Sequence, residues 1–349
     1  MPFEHRALYG AEPDLYLCEE RADLSRTINC CYNRTAQSLR KGEQMARVVY
    51  GGLIIIILAA IGCTVESGSA PSAPSVSLRL VSELHNDVRE SSGLARVDGK
   101  IYTHNDSGGS PLLYEINATT GEVVRTVIVN GANNVDWEAL ACDDTYLYIG
   151  DIGNNLGSRT DLKIYKIPKI DLAQNMAVTA EEIAFSYADQ ATYEEKLYTT
   201  SYDAEALIAY NGQLYLFTKN WADYNCRVYR LPTLPGSYVV APVAEKALDI
   251  MVTGAAFDAE SGSVALVGYT NPGNIVSPFK SAIVMLHGFT GDDLFSGKIT
   301  EYEIEKSQHV GPVEAILFNS PGQLYLTAEG VTAASVEDPA RFYETAIPE

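Results

Sequence analysis

Five positions, Ser92, Glu138, Glu205, Thr253 and Glu314, share one local setting. Each is followed by a small residue (Gly93, Ala139, Ala206, Gly254, Ala315) and then by a larger or equally apolar one (Leu94, Leu140, Leu207, Ala255, Ile316). Three carboxylates and two hydroxyls taken from equivalent places make an oxygen-only donor set. Carboxylates crowded without a counter-ion repel and take up protons, whereas a hard cation turns them into a cage. With no thiol or imidazole in the column, calcium is favoured over zinc. A hydrated channel mouth without metal would use the same residue types and is the alternative reading.

Elements that could bring these positions together are visible as a repeat. In Asp136–Asn155, a strand through Ala139-Leu140-Ala141 turns at Asp143-Asp144 and returns through Tyr146-Leu147-Tyr148-Ile149 into a Gly/Asn-rich loop. The same grammar joins Ser91–Ala95 to Lys100-Ile101-Tyr102, Ala204–Ile208 to Gln213-Leu214-Tyr215, Val252–Ala256 to Ser263-Val264-Ala265, and Val313–Leu317 to Gln323-Leu324-Tyr325. A third strand follows each pair, at Leu113–Ile116, Ile164–Ile167, Val228–Leu231, Ile283–Leu286 and Phe342-Tyr343, and four repeats carry a fourth. Such a spacing predicts an all-β, five-bladed β-propeller of four-stranded blades. The last repeat lacks its outer strand, and Val76–Val81 precedes the first as an orphan, so this N-terminal strand is expected to close the ring and remove an edge. The innermost strands would then run along the axis, where crowding explains the small column.

The chain has 349 residues, 46% of them hydrophobic and 20% charged, with a net charge of -20. Lys/Arg and Asp/Glu are equal in residues 1–62, so the excess of acid lies in the remainder. An acidic surface repels phosphate backbones, which excludes nucleic acid as a partner. Residues 1–44 have no strand grammar and are expected to be upstream sequence. A second start at Met45, with Arg47, the apolar run Val48–Ile61 and Gly62-Cys63, has the layout of a bacterial signal peptide over 45–62. Cys63 would be the lipidated first residue and 63–75 its flexible tether, followed by the propeller over 76–349. The apolar run is shorter than the ~20 residues a membrane span needs. These features predict a monomer of the bacterial cell envelope, lipid-anchored on the periplasmic or extracellular side. Cys142 and Cys226, the cysteines remaining after Cys63, are expected to be free thiols on opposite faces of the ring.

If the inner strands start at the metal end, the loops after the second strands surround the same mouth. They span His104–Ser110, Asp151–Asp161, Lys219–Asn225, Tyr269–Lys280 and Ala328–Pro339. Candidate ligand-binding residues there are Asn105, Asp106, Asp151, Asn154, Arg159, Lys219 and Trp221, with Asn155, Asn220 and Glu329 beside them. Arg159 and Lys219 are the cations placed to hold an anion, and Trp221 could stack on a ligand. Asn, Asp and Gly also simply make turns. His104 is a candidate acid or base, and equally a structural histidine.

The five-blade layout and the run Trp137-Glu138-Ala139-Leu140-Ala141 into Leu147-Tyr148-Ile149-Gly150 resemble the calcium-activated nucleotidases, or apyrases. The resemblance implies a propeller with one central calcium, held by a Ser/Glu pattern from successive blades that Ser92, Glu138, Glu205, Thr253 and Glu314 match. Where that family has Asp-Asp-Arg after the second strand of the first blade, this chain has Asn105-Asp106-Ser107, without the arginine that would hold phosphate. Two function classes follow. One is a calcium-binding propeller lipoprotein whose loop face binds a small molecule, glycan or protein. The other is a calcium-dependent phosphohydrolase, nucleotidase-like or phytase-like.

Overall fold

The computed structural model describes residues 74–270, 280–333 and 336–348. The expected leader, Cys63 and most of the expected tether lie outside them, as does most of the loop Tyr269–Lys280.

Among the described residues the strands form five blades. Blade 1 is Ser91–Val97, Lys100–Asn105, Leu112–Ile116 and Val123–Asn130; blade 2 is Trp137–Cys142, Tyr146–Asp151, Lys163–Pro168 and Glu181–Tyr187. Blade 3 is Ala204–Tyr210, Gln213–Thr218, Asn225–Pro232 and Pro242–Ala247; blade 4 is Met251–Asp258, Ser263–Tyr269, Ser281–His287 and Lys298–Ile304. Blade 5 has Val313–Ser320, Gln323–Ala328 and Arg341–Ala346, and its outermost strand is Arg79–Glu83, antiparallel to Arg341–Glu344. The five-bladed propeller closed by an N-terminal strand is thus the observed fold.

Three blades carry more than the four strands expected. Ala177–Thr179 lies parallel to the outer strand of blade 1, Gly236–Val240 to that of blade 2, and Ser75–Val76 to that of blade 4. Ala177–Thr179 and Gly236–Val240 belong to connecting segments and Ser75–Val76 to the stretch before the closing strand, and each covers an edge that would otherwise be open. Ser75 and Val76, read from sequence as the tether's end and the strand's start, therefore join a different blade from Arg79–Glu83.

Local chemistry sets the hairpins. Asp98-Gly99 and Asn211-Gly212 link the first two strands of blades 1 and 3 with positive φ at both residues (50° and 78°, 49° and 70°), the conformation in which a two-residue turn matches strand twist. In blade 2, Asp143 instead accepts hydrogen bonds from the backbone N–H groups of Thr145 and Tyr146 at 2.8 and 2.7 Å.

Each pair of neighbouring blades buries its own apolar cluster. Val97, Tyr102 and Leu113 of blade 1 meet Leu140, Ile149 and Tyr165 of blade 2, and the ring closes where Leu94 and Ile101 meet Ala315 and Phe342. The inner strands are sandwiched between blades and are buried along nearly their whole length, as in Ala204–Ala209. Cys226 is buried, Cys142 half-buried, and both are free thiols. Burial pushes each thiol up to about 12, so neither is a ready nucleophile.

Candidate metal centre and ligand cavity

In every blade the ladder between the first two strands skips one residue of the inner strand. The register jumps between Ser91 and Gly93, Trp137 and Ala139, Ala204 and Ala206, Val252 and Gly254, and Val313 and Ala315. The skipped residues are Ser92, Glu138, Glu205, Thr253 and Glu314. A β-bulge frees one residue from pairing and re-aims its side chain, so the aligned column coincides with a fivefold structural device. All five residues are buried.

Close approach of the inner strands accounts for the small column that follows. A Cβ on Gly254 would stand 2.7 Å from the Glu314 carbonyl oxygen, and one on Gly93 2.8 Å from the Leu140 amide nitrogen and 2.5 Å from Nε2 of His104. The two hydroxyls of the column tie adjacent blades: Ser92 Oγ donates to the Glu138 carbonyl at 3.1 Å and Thr253 Oγ1 to the Val313 carbonyl at 2.6 Å.

Ser92, Glu138, Glu205 and Glu314 open into a cavity of about 220 Å3. Thr253 is not among its lining residues. Each blade also sends a residue from the end of its second strand or the loop beyond: Asp106, Asn155, Lys219 with Trp221, Tyr269 and Glu329. Tyr198, from the connection between blades 2 and 3, completes the wall. A second cavity of about 190 Å3, lined largely by apolar side chains such as Leu207, Phe257 and Phe318, lies at the other end of the inner strands.

The polar cavity divides into two halves. On one side, the carboxylate oxygens of Asp106, Asp136 and Glu138 lie within 4.8 Å of one another. Asp106 Oδ1 is buried with no hydrogen-bond partner among the described residues. Gly153 abuts the group so closely that a Cβ there would stand 2.3 Å from Glu138 Oε1 and 2.4 Å from Asp136 Oδ2. On the other side, Lys219 Nζ donates to Glu205 Oε2 at 2.8 Å, both side chains being buried, and lies 5.2 Å from the ring centres of Trp221 and Tyr269. Tyr269 donates its hydroxyl to Glu314 Oε1 at 3.3 Å. Lys219 is therefore the internal counter-ion of this half.

Burial first, and neighbouring carboxylates after it, raise the acids of the whole mouth. Asp106 is pushed up to about 6, Asp136 and Glu314 to about 7, and Glu329 to about 9, while Glu138 stands well above the carboxylate range; at Glu205 burial pushes the same way and the Lys219 ammonium beside it opposes it. Burial alone would lower the Lys219 ammonium, but Glu205, Tyr269 and Glu314 around it hold it well above its ordinary value.

Other residues singled out by sequence stand behind this wall, and Trp221, on the wall itself, is held from behind. Arg159 bridges Asp151 at 2.8 Å and Asp161 at 3.0 Å and donates to the Gly153 carbonyl, so its guanidinium is engaged internally. Asp151, fully buried, also accepts the Asp136 N–H. Asn154 accepts the Arg159 N–H and donates to the Tyr202 carbonyl. Asn105 braces the segment Asp87–Glu90 through both ends of its amide. Trp221 donates Nε1 to Asp203 at 2.7 Å, and Asp203 also accepts the Asn154 N–H. His104 is fully buried against Trp137, with Nδ1 on the Asn105 carbonyl at 2.9 Å; burial pushes it down to about 4, leaving it neutral and structural.

Sequence reasoning missed Asp136, Asp203, Tyr198 and Tyr269. A signal for the first two exists, because Asp136-Trp137-Glu138 and Asp203-Ala204-Glu205 repeat an acid two residues before the column. Tyr198 carries no such signal, since it enters through an irregular connection.

All the donors of the Asp106–Asp136–Glu138 group are hard oxygens, and one has no hydrogen-bond partner among the described residues. The set fits a calcium-like cation better than a soft metal.

No protein-family model matches the sequence, and no curated protein does. Solved structures do. The PQQ-bound aldose sugar dehydrogenase of Streptomyces coelicolor is 13% identical, covering 80% of this chain and 99% of that one with a TM-score of 0.42. A glucose dehydrogenase is 10% identical, covering 79% and 100% with a TM-score of 0.43. A GH43 β-1,3-galactosidase with galactodeoxynojirimycin is 8% identical, covering 73% and 90% with a TM-score of 0.42. At these identities the likeness is one of fold and carries no chemistry.

Proposed function

We propose that this chain is an exported, lipid-anchored propeller that binds calcium at its channel mouth and uses the surrounding loop face to bind a small molecule, glycan or protein. The observation that carries the reading is the Asp106–Asp136–Glu138 group, with a buried oxygen that has no partner among the described residues, in a mouth whose described lining has one basic side chain, Lys219. Calcium would be held by these three carboxylates rather than on the axis, because Glu205 is already neutralised by Lys219. The ion would supply charge compensation and a point on which a ligand's oxygens converge.

Pairing of Lys219 with Glu205, and of Arg159 with Asp151 and Asp161, leaves neither cation placed to hold a phosphate. With the arginine of the nucleotidase pattern absent at Ser107, this supports binding over phosphoester or anhydride hydrolysis. The resemblance to calcium-activated nucleotidases supports the ion more than the reaction.

Thermal melting in calcium, magnesium and chelator tests the ion. At 100 times its dissociation constant, calcium should add about 2.7 kcal/mol of stability. Magnesium, which demands a tighter octahedral shell, should add less. Asp106→Asn and Glu138→Gln should shrink the calcium effect, and Glu194→Gln, on an exposed loop, should leave it intact. Identical melting in calcium and chelator would sink the proposal.

A further inference from the structure

The rim beside the metal centre has a feature that the ion does not explain. Tyr198 and Trp221 lie with ring centres 4.5 Å apart and planes 38° from parallel, both on the cavity wall. Trp221 is fixed from behind by its bond to the buried Asp203. Tyr198 is 54% exposed, and its backbone adopts φ 54°, a left-handed conformation that is costly for a bulky aromatic residue. Two backbone hydrogen bonds hold it there, Tyr198 N–H to the Asn155 carbonyl at 3.1 Å and Lys196 N–H to the Leu156 carbonyl at 2.9 Å. The connection is thus pinned to the loop that contributes Asn155, and it presents a large aromatic face to solvent at the cavity edge.

The surroundings select among ligand classes. An anion meets Glu138, Glu205, Glu314 and Glu329, and the lining's one ammonium is already bound to Glu205. An organic cation would compete for aromatic faces near which Lys219 already lies, 5.2 Å from both Trp221 and Tyr269. An apolar ligand would strip water from carboxylates that it cannot satisfy. A neutral ring with one apolar face and several hydroxyls meets none of these objections. Its C–H face, weakly positive, packs on the negative face of an aromatic ring. Its hydroxyls can donate to the Asn155 side-chain oxygen and the glutamates, and their oxygens can coordinate the ion. The cavity, about 220 Å3, admits one such ring and is smaller than the ~300–1,000 Å3 of sites for drug-sized ligands.

We propose that Tyr198 and Trp221 form the stacking subsite for a single neutral sugar ring, whose hydroxyls reach the glutamates and complete the shell of the adjacent calcium. This rests on the calcium reading above and names the ligand class of the same site. Tyr198 packs on Trp221, so the sugar ring stacks on the outward face of Tyr198 with Trp221 backing it, and the ion fixes which hydroxyls face inward.

The experiment uses the full chain and a panel of methyl glycosides of glucose, galactose and mannose, in calcium and in chelator, with choline as a cationic control. The chain has two tryptophans, and Trp137 is fully buried, so a saturable fluorescence change on titration reports Trp221. At least one glycoside should bind in calcium and not in chelator. Tyr198→Ala should weaken it by about tenfold or more and Tyr198→Phe should not, while both keep the wild-type rise in melting temperature with calcium. That rise reads the ion reading separately from the sugar. A protein stabilised by calcium that binds no glycoside refutes the subsite alone. Glycoside binding unchanged in Tyr198→Ala overturns the stacking, binding unchanged by chelator overturns the shared shell, and tighter binding of choline overturns the neutral ligand class.

Discussion

Lys219 Nζ sits 2.8 Å from Glu205, and the acids across the mouth have no such partner among the cavity's lining residues. Their consequence is a pH dependence whose sign can be worked out. Asp106 at about 6, Asp136 and Glu314 at about 7 and Glu329 at about 9 are all raised above the ~4 of an unfolded carboxyl. Above that lower value the folded chain holds protons that the unfolded chain has released, so stability falls as pH climbs, until the folded groups have ionised as well. The metal-free protein should therefore melt progressively lower from pH 5 to pH 9. Calcium replaces those protons, so its stabilisation should grow over the same interval, and its binding heat should vary with the ionisation enthalpy of the buffer because protons are released. Metal-free melting that stays flat over this range would remove the account of mutually repelling carboxylates.

The bulged inner strands separate what a sequence can disclose from what it hides. The column of Ser92, Glu138, Glu205, Thr253 and Glu314 was legible because equivalent blades repeat one local pattern, and the small residues after it betray a crowded axis. Its asymmetry was not legible. Lys219 lies in a different strand-end from Glu205, and only folding shows that the two pair and that Asp136 joins Asp106 and Glu138 in a separate acidic group. Nor could the added outer strands be read, since Ala177–Thr179 and Ser75–Val76 are too short to show a period. The closing strand, by contrast, announced itself as an orphan. Arg79–Glu83 pairs with Arg341–Glu344, and the adjoining Leu84 packs into the cluster between blades 1 and 5. Truncation through Leu84 removes both and bares an edge, so the domain should aggregate or melt much earlier, whereas truncation through Gly68 should not change melting. Equal melting temperatures for the two would rule out this role for the strand.

At the scale of the molecule, a ring carrying the acidic excess of the chain is proposed to hang from a lipid at Cys63. Intact-mass measurement of membrane-extracted protein should find an acylated Cys63 as the first residue, and residues 1–44 in the mature chain would contradict it. The closure of the ring has a further consequence, which concerns time. Arg79 and its partner Glu344 are 265 residues apart, and a chain grows at about 5–20 residues per second. Every blade can collapse on its predecessor as it emerges, but the closing strand Arg79–Glu83, made before blade 1, has no partner until Arg341–Glu344 exists, tens of seconds later. Such a non-local pairing also folds slowly for entropic reasons. The ring is therefore completed only after Arg341–Ala346 has been made, and a chain handed to an export machine before that moment is one that has not yet been able to lock itself shut.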